Sequence, residues 1–267
     1  MKISGKPKKD LVKLTKDMCK SLGVNLDFNL VFTDRKQALE HYGKIRGVPR
    51  VPPAYMYFSE EGPVLVLIPE VMDEHRKKGD TYEAQLFDEI LHFRCLQEGW
   101  MDVAIAAYKE AEQYFERISV LSLRELDRRF LGQIQRHVTN FIGEEMAVRL
   151  GYKEKILTER KRLLKVGAEF VSQHQEEFKI PHSFAPISHS FMCAFLVTLP
   201  PSYSGREEIE DKKLIPKAEP IIHALRSDIQ EKFGEIKDLV SSIQSPPNED
   251  NLFEIYKKAI QIYAALA

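Results

Sequence analysis

The chain has 267 residues, of which 43% are hydrophobic and 30% charged, and its 39 basic and 40 acidic side chains give a net charge of -1. A chain of this length can bury a core without disulfides or a structural metal, and its even charge balance excludes a histone-like nucleic-acid binder. Its three cysteines are widely spaced and form no Cys-x-x-Cys pair, which predicts a cytoplasmic protein and argues against a zinc knuckle.

The first third of the chain predicts a small sheet with helices around it. Apolar residues at helical spacing predict a helix over 10–22, and alternating apolar residues predict a strand over 24–33. A short helix over 35–44 follows. Two further strands, over 54–58 and 63–69, are joined by a tight turn that ends in glycine, which predicts a hairpin.

Helical periodicity dominates the rest of the chain. Two proline-containing loops, 200–205 and 245–250, interrupt it. The pattern predicts helices over 82–98, 101–118, 122–150, 154–177, 183–199, 220–243 and 251–266. The fold class is therefore predicted to be α+β and mostly helical, in one compact domain over 1–267. The longest strongly apolar run, 191–199, is about half the length that a bilayer requires, so no membrane partner is expected.

One segment of the 82–98 helix combines acidic residues with a histidine. Asp88 and His92 are four residues apart, so their side chains project from the same face of a helix, one turn apart. Two metal ligands can meet at this spacing. Glu89 follows Asp88 directly, and apolar neighbours on the same helix predict that the segment is anchored in a core.

This segment resembles the active-site helix of the gluzincin-type zincin metallopeptidases, which reads His-Glu-x-x-His. The apolar strand before it, 62–69, is similar to the edge strand of that fold. The acidic segment 137–150 is similar to the later helix that supplies the third metal ligand. The resemblance implies a zincin-like core over about 24–165 and a helical extension over about 166–267.

The resemblance also implies a role for each residue of the motif. Glu89 would be the base that takes a proton from metal-bound water. Asp88, His92 and Glu144 would bind zinc or another divalent metal ion, with Glu145 as the alternative to Glu144.

The motif departs from the family at its first position, where Asp88 stands in place of a histidine. An aspartate has a shorter arm than a histidine, and it adds negative charge to a site that already holds a glutamate. Three interpretations stay open: the metal has been lost, the site prefers a harder ion such as Mn²⁺ or Mg²⁺, or the resemblance is accidental. The chain is expected to be impaired or inactive as a peptidase.

A helical interaction scaffold is the alternative function. Segment 99–111 resembles the second helix of a tetratricopeptide repeat, and the region around Tyr256 and Ala259 resembles it more weakly. The pattern does not recur 34 residues later, as a repeat requires, and alanines that pack between helices account for both segments. A scaffold of this kind would bind a peptide or protein partner.

Basic stretches and a histidine pair are two further features that bear on binding. The basic stretches 2–20 and 153–165 lack interleaved aromatic residues, so solvated helix faces are favoured and nucleic acid is not an expected partner. His182 and His189 flank a proline-containing loop, where they are candidates for lining a pocket, although surface or capping roles are favoured.

Overall fold

A computed structural model describes residues 1–46, 51–77, 82–118, 124–180 and 184–267. In it the chain divides into two compact units, Met1–Gln97 and Glu98–Ala267. The predicted class, mostly helical α+β with a small N-terminal sheet, is confirmed. The single domain over 1–267 stays a prediction, and the predicted helix starts at 122 and 183 lie outside the described residues.

A four-stranded sheet forms the centre of the first unit. Its order is β1-β2-β4-β3. The expectation that 62–69 is the edge strand is wrong: this segment forms β4, which pairs with β2 on one side and β3 on the other, so β3 lies at the edge. The β1–β2 and β2–β4 pairs are parallel, whereas β3 and β4 form the predicted antiparallel hairpin. The strands are β1 (Lys2–Ser4), β2 (Asn29–Phe32), β3 (Ala54–Ser59) and β4 (Gly62–Leu67).

Strand β4 is the best buried strand of this sheet. Its last four residues, Val64 to Leu67, are all buried, so both faces of the strand are covered. Val64 and Val66 lie in a cluster with Ala38 and Val71, while Leu65 and Leu67 point to the opposite face because side chains alternate along a strand. This burial fixes the register of the hairpin and therefore the position of β3.

Four helices surround the sheet: α1 (Lys9–Ser21), α2 (Arg35–Arg46), α3 (Pro69–Lys77) and α4 (Tyr82–Gln97). Helix α4 packs against β3, α1 and α3. It is apolar on most of its circumference, which is typical of a buried helix. Its buried residues are Tyr82, Leu86, Phe87, Ile90, Leu91, Phe93 and Cys95.

The second unit is helical throughout its described part. Helix α8 is its most buried helix and packs against α6, α7, α10 and α11, while α5 packs against α12. None of the described helices combines the length and apolarity that a bilayer crossing requires. The helices are α5 (Trp100–Ile118), α6 (Arg124–Arg149), α7 (Lys153–Gln173), α8 (Phe184–Val197), α9 (Arg206–Ile209), α10 (Ile215–Ala224), α11 (Ser227–Ser241) and α12 (Glu249–Leu266).

One predicted helix is wrong. The segment 220–243 forms two helices, α10 and α11, because Leu225 and Arg226 adopt extended backbone angles between them. Arg226 stabilises the break, since its guanidinium bonds Asp228 and the carbonyl oxygen of Leu266.

Gly5 provides a test of the sheet. It follows β1 with φ of +83°, and a Cβ at this position would overlap the backbone carbonyl of Phe32 at the end of β2. We expect Gly5→Ala to lower the free energy of unfolding by about 2 to 3 kcal/mol, because backbone strain and a clash with main chain add together.

Gly62→Ala is the matched control for this prediction. Gly62 has φ of +109°, but a Cβ there meets no atom within 4 Å, so the substitution adds only backbone strain, about 1 kcal/mol. Urea unfolding of both variants measures the difference. Equal losses of stability would contradict the close approach at Gly5.

Candidate functional site

Helix α4 brings Glu89 and His92, which are three residues apart, close together. Nδ1 of His92 lies 4.0 Å from Oε2 of Glu89, and the two side chains are only 13% and 14% exposed. Nε2 of His92 is buried and has no hydrogen-bond partner among the described residues. Asp88, one residue before Glu89, is half-buried. The motif therefore lies in a partly enclosed region of the first unit.

The carboxylate of Glu89 has a defined partner on the sheet. Its Oε2 accepts a hydrogen bond from the backbone N–H of Met56, at 2.9 Å. Met56 belongs to β3, the edge strand, whose other side pairs with β4. Glu89 therefore satisfies an amide that an edge strand would otherwise present to an added strand.

Whether this motif can bind a metal ion depends on how many ligand side chains converge on one point. Within the described ranges, no group of three or more His, Cys, Asp and Glu side chains is arranged to hold a metal ion. A zinc site takes at least three protein ligands, and one acidic group of the motif is directed at the edge strand. Metal binding by Asp88, His92 and Glu144 stays a prediction.

Glu144, the predicted third ligand, belongs to the second unit and pairs with an arginine there. Its Oε2 accepts from Nε of Arg160 at 3.1 Å and also from Nη2. The Arg160 side chain is only 1% exposed, and it also donates to the carbonyl oxygens of Leu196 and Thr198. Because a buried guanidinium needs a counter-charge, Glu144 has a structural role on α6.

Glu145, the alternative ligand, joins α6 to both proline-containing loops. It accepts hydrogen bonds from the backbone and hydroxyl of Ser202, from the hydroxyl of Ser245 and from Nε of Arg149. Burial favours the neutral acid, but these hydrogen bonds outweigh it and lower the pKa of Glu145. Metal binding by Glu144 or Glu145 stays a prediction.

A cavity of about 360 Å³ lies between α6, α7 and α8 in the second unit. Most of its lining is apolar, including Phe141, Phe170 and Phe195. The polar groups that line it are His137, Asn140, Glu144, Arg160 and His189. Of these, His189 is the one that the sequence marks as a candidate for lining a pocket.

The two histidines of the cavity are neutral near pH 7. Burial lowers the pKa of His137 to about 4, and the charge of Arg136 acts in the same direction. Burial also lowers the pKa of His189, and its hydrogen bond with the carbonyl oxygen of Ala185 offsets part of that effect. The ring of His137 stacks on Phe195, with the ring centres 5.3 Å apart.

The two segments with tetratricopeptide-like spacing belong to one helix pair. Tyr108 of α5 meets Tyr256 of α12 edge to face, with ring centres 6.0 Å apart. Four alanines of these segments are buried, as expected for residues that pack between helices, while Ala106 is partly buried. The four are Ala104, Ala107, Ala111 and Ala259.

No protein-family model, curated protein sequence or solved structure matches this chain. The resemblance to zincins therefore stays a prediction from the motif and from the elements around it.

The depressed pKa of His137 predicts how stability depends on pH. As pH falls below 6.5, the unfolded chain binds a proton at this ring before the folded chain does, since the folded pKa is about 4. This contribution to stability is complete above the unfolded pKa and is lost towards pH 4. We expect the free energy of unfolding to fall by about 2 kcal/mol from this ring when the pH is lowered from 7 to 5.

The comparison variant is His137→Phe, which keeps an aromatic ring beside Phe195 and removes the titrating group. Its unfolding free energy, measured in urea at pH 7 and pH 5, should fall by about 2 kcal/mol less than that of the native chain. If both proteins lose the same stability, His137 is not buried in its neutral form.

Proposed function

We propose that this protein is a relative of the gluzincin-type metallopeptidases with a degenerate motif, and that it is impaired or inactive as a peptidase. The observation that carries the proposal is the hydrogen bond between Glu89 and the N–H of Met56 on the edge strand. Two features of the first unit support the relationship: an antiparallel edge strand beside a parallel pair, and the motif helix packed against that strand.

The same hydrogen bond supports loss of activity. A carboxylate that acts as a general base must reach a water molecule beside the scissile bond. Oxygen Oε2 of Glu89 is directed at a main-chain amide instead, 2.9 Å away. Helix α4 contacts β3 directly, so the edge that would receive an extended peptide is bonded at Met56. Asp88 in place of a histidine weakens zinc binding independently of this contact.

The proposal includes a location and a class of partner. All three cysteines are buried and none forms a disulfide, which supports a reducing compartment such as the cytoplasm. A peptide or protein is the proposed partner, because the even overall charge gives little support for nucleic acid.

A pair of substitutions at Glu89 separates a structural from a catalytic role. Glu89→Ala should lower the free energy of unfolding by about 1 to 3 kcal/mol, because the N–H of Met56 loses its acceptor. Glu89→Gln keeps a carbonyl oxygen and should cost less than about 1 kcal/mol. Chemical denaturation gives both values.

The catalytic readout for these variants is cleavage of an unfolded protein such as casein. The native chain should cleave it no faster than Glu89→Gln. The proposal is wrong about activity if the native chain cleaves casein and Glu89→Gln abolishes cleavage without loss of stability.

Asp88→His tests the relationship to zincins. If α4 presents a zincin-like frame, this substitution produces the two-histidine motif and should raise the zinc content above that of the native chain. Metal analysis of untagged protein measures it. The second substitution His92→Ala, made in the Asp88→His variant, should abolish the gain.

Glu83→His is the matched control. Glu83 lies nine residues before His92, which places it on the opposite side of α4. This variant should gain no zinc. Equal zinc content in Asp88→His and Glu83→His would remove the support for a zincin-like frame.

A further inference from the structure

We propose that the cavity between α6, α7 and α8 binds a neutral aromatic compound of about two fused rings that carries one hydroxyl or similar hydrogen-bonding group. The inference is independent of the proposed function, because every residue that lines this cavity lies in the second unit.

The cavity has the size and opening of a small-molecule site. Its volume of about 360 Å³ lies in the lower part of the range for ligand pockets, roughly 300 to 1,000 Å³. Val166 and Phe170, on α7, line the cavity and are also 48% and 41% exposed. These two apolar side chains therefore mark its mouth, through which a ligand can enter.

The walls favour a flat aromatic ligand. The ring of Phe170 lies parallel to that of His189, with centres 5.5 Å apart, and His137 stacks on Phe195. Phe141 meets Phe195 edge to face. Aromatic rings pair favourably in offset-stacked and edge-to-face arrangements, so a planar ligand can extend this set of rings.

The charges in the cavity favour a neutral ligand. The guanidinium of Arg160 is bonded to Glu144 and to two carbonyl oxygens, so its charge is already compensated inside the protein. The neighbouring histidines are neutral near pH 7 because burial lowers the pKa of both. An anionic ligand would lose its hydration and meet the carboxylate of Glu144.

Two polar side chains in the cavity are the reason for proposing a ligand with one hydrogen-bonding group. Asn140 and His137 line the cavity, and in the described part of the chain neither side chain hydrogen-bonds to another residue. Both can accept or donate a hydrogen bond. A ligand with one hydroxyl would satisfy either group while its rings contact the apolar wall.

Three compounds of similar shape test the proposal, with binding followed by calorimetry at pH 7. We expect 2-naphthol, which is neutral at this pH, to bind with one molecule per chain. The isostere 2-methylnaphthalene lacks the hydroxyl and should bind about five-fold more weakly. The anion 2-naphthoate should bind at least about ten-fold more weakly than 2-naphthol.

Variants locate the site and the hydrogen bond. Val166→Trp fills the mouth and should weaken all three compounds at least about ten-fold, whereas Lys165→Trp, on the adjacent and 77% exposed side chain, should change nothing. At least one of the variants Asn140→Leu and His137→Phe should weaken the binding of 2-naphthol about five-fold and leave the binding of 2-methylnaphthalene unchanged.

Each result supports or overturns the proposal. It is overturned if 2-naphthol shows no saturable binding, or if Val166→Trp binds it as well as Lys165→Trp does. It is also overturned if 2-naphthoate binds as tightly as 2-naphthol, or if neither polar substitution separates 2-naphthol from 2-methylnaphthalene. Thermal unfolding of every variant confirms that binding is compared between folded proteins.

Discussion

A carboxylate removed from water is stabilised by hydrogen-bond donors inside the protein, and this constraint accounts for the contacts of Glu89, Glu144 and Glu145. Glu144 compensates the charge of Arg160, which is almost fully enclosed. Glu145 accepts hydrogen bonds from residues of two loops and of its own helix. Glu89 accepts from the main chain of the edge strand. Each carboxylate therefore stabilises the fold through these contacts. Only oxygen lone pairs that these contacts do not use can take part in chemistry.

The fold is largely predictable where local periodicity determines it. The hairpin and most helices follow from alternation and from apolar stripes that the core then buries. Strand β1 is not predictable in this way, because its three residues are exposed and pair only with the distant β2. The break between α10 and α11 is supported by the bond from Arg226 to the carbonyl oxygen of Leu266, and this partner is 40 residues away, outside any local window of sequence.

The candidate site is predictable only as far as one helix extends. Helical spacing places Glu89 and His92 on one face, but it cannot identify Met56 as the partner of Glu89, since the two are 33 residues apart. The buried position of Arg160 could have been predicted from its spacing, but the adjacent Lys161 and Arg162 made the segment read as a basic surface stretch. Arg160 continues the stripe of Ile156 and Leu164 on α7, so a charge stands at a buried position, which requires an acidic partner.

One hydrogen bond meets two needs in the first unit. An edge strand with unbonded amides can pair with a strand of another chain. A partly buried carboxylate on an apolar helix is stabilised by hydrogen-bond donors. The bond from the N–H of Met56 to Glu89 satisfies both groups and joins β3 to α4. The motif helix is thereby bonded to the sheet through its own glutamate. On the proposed function, a peptidase-like frame therefore persists as a structural element, and restoring a histidine at position 88 would not by itself release Glu89 for catalysis.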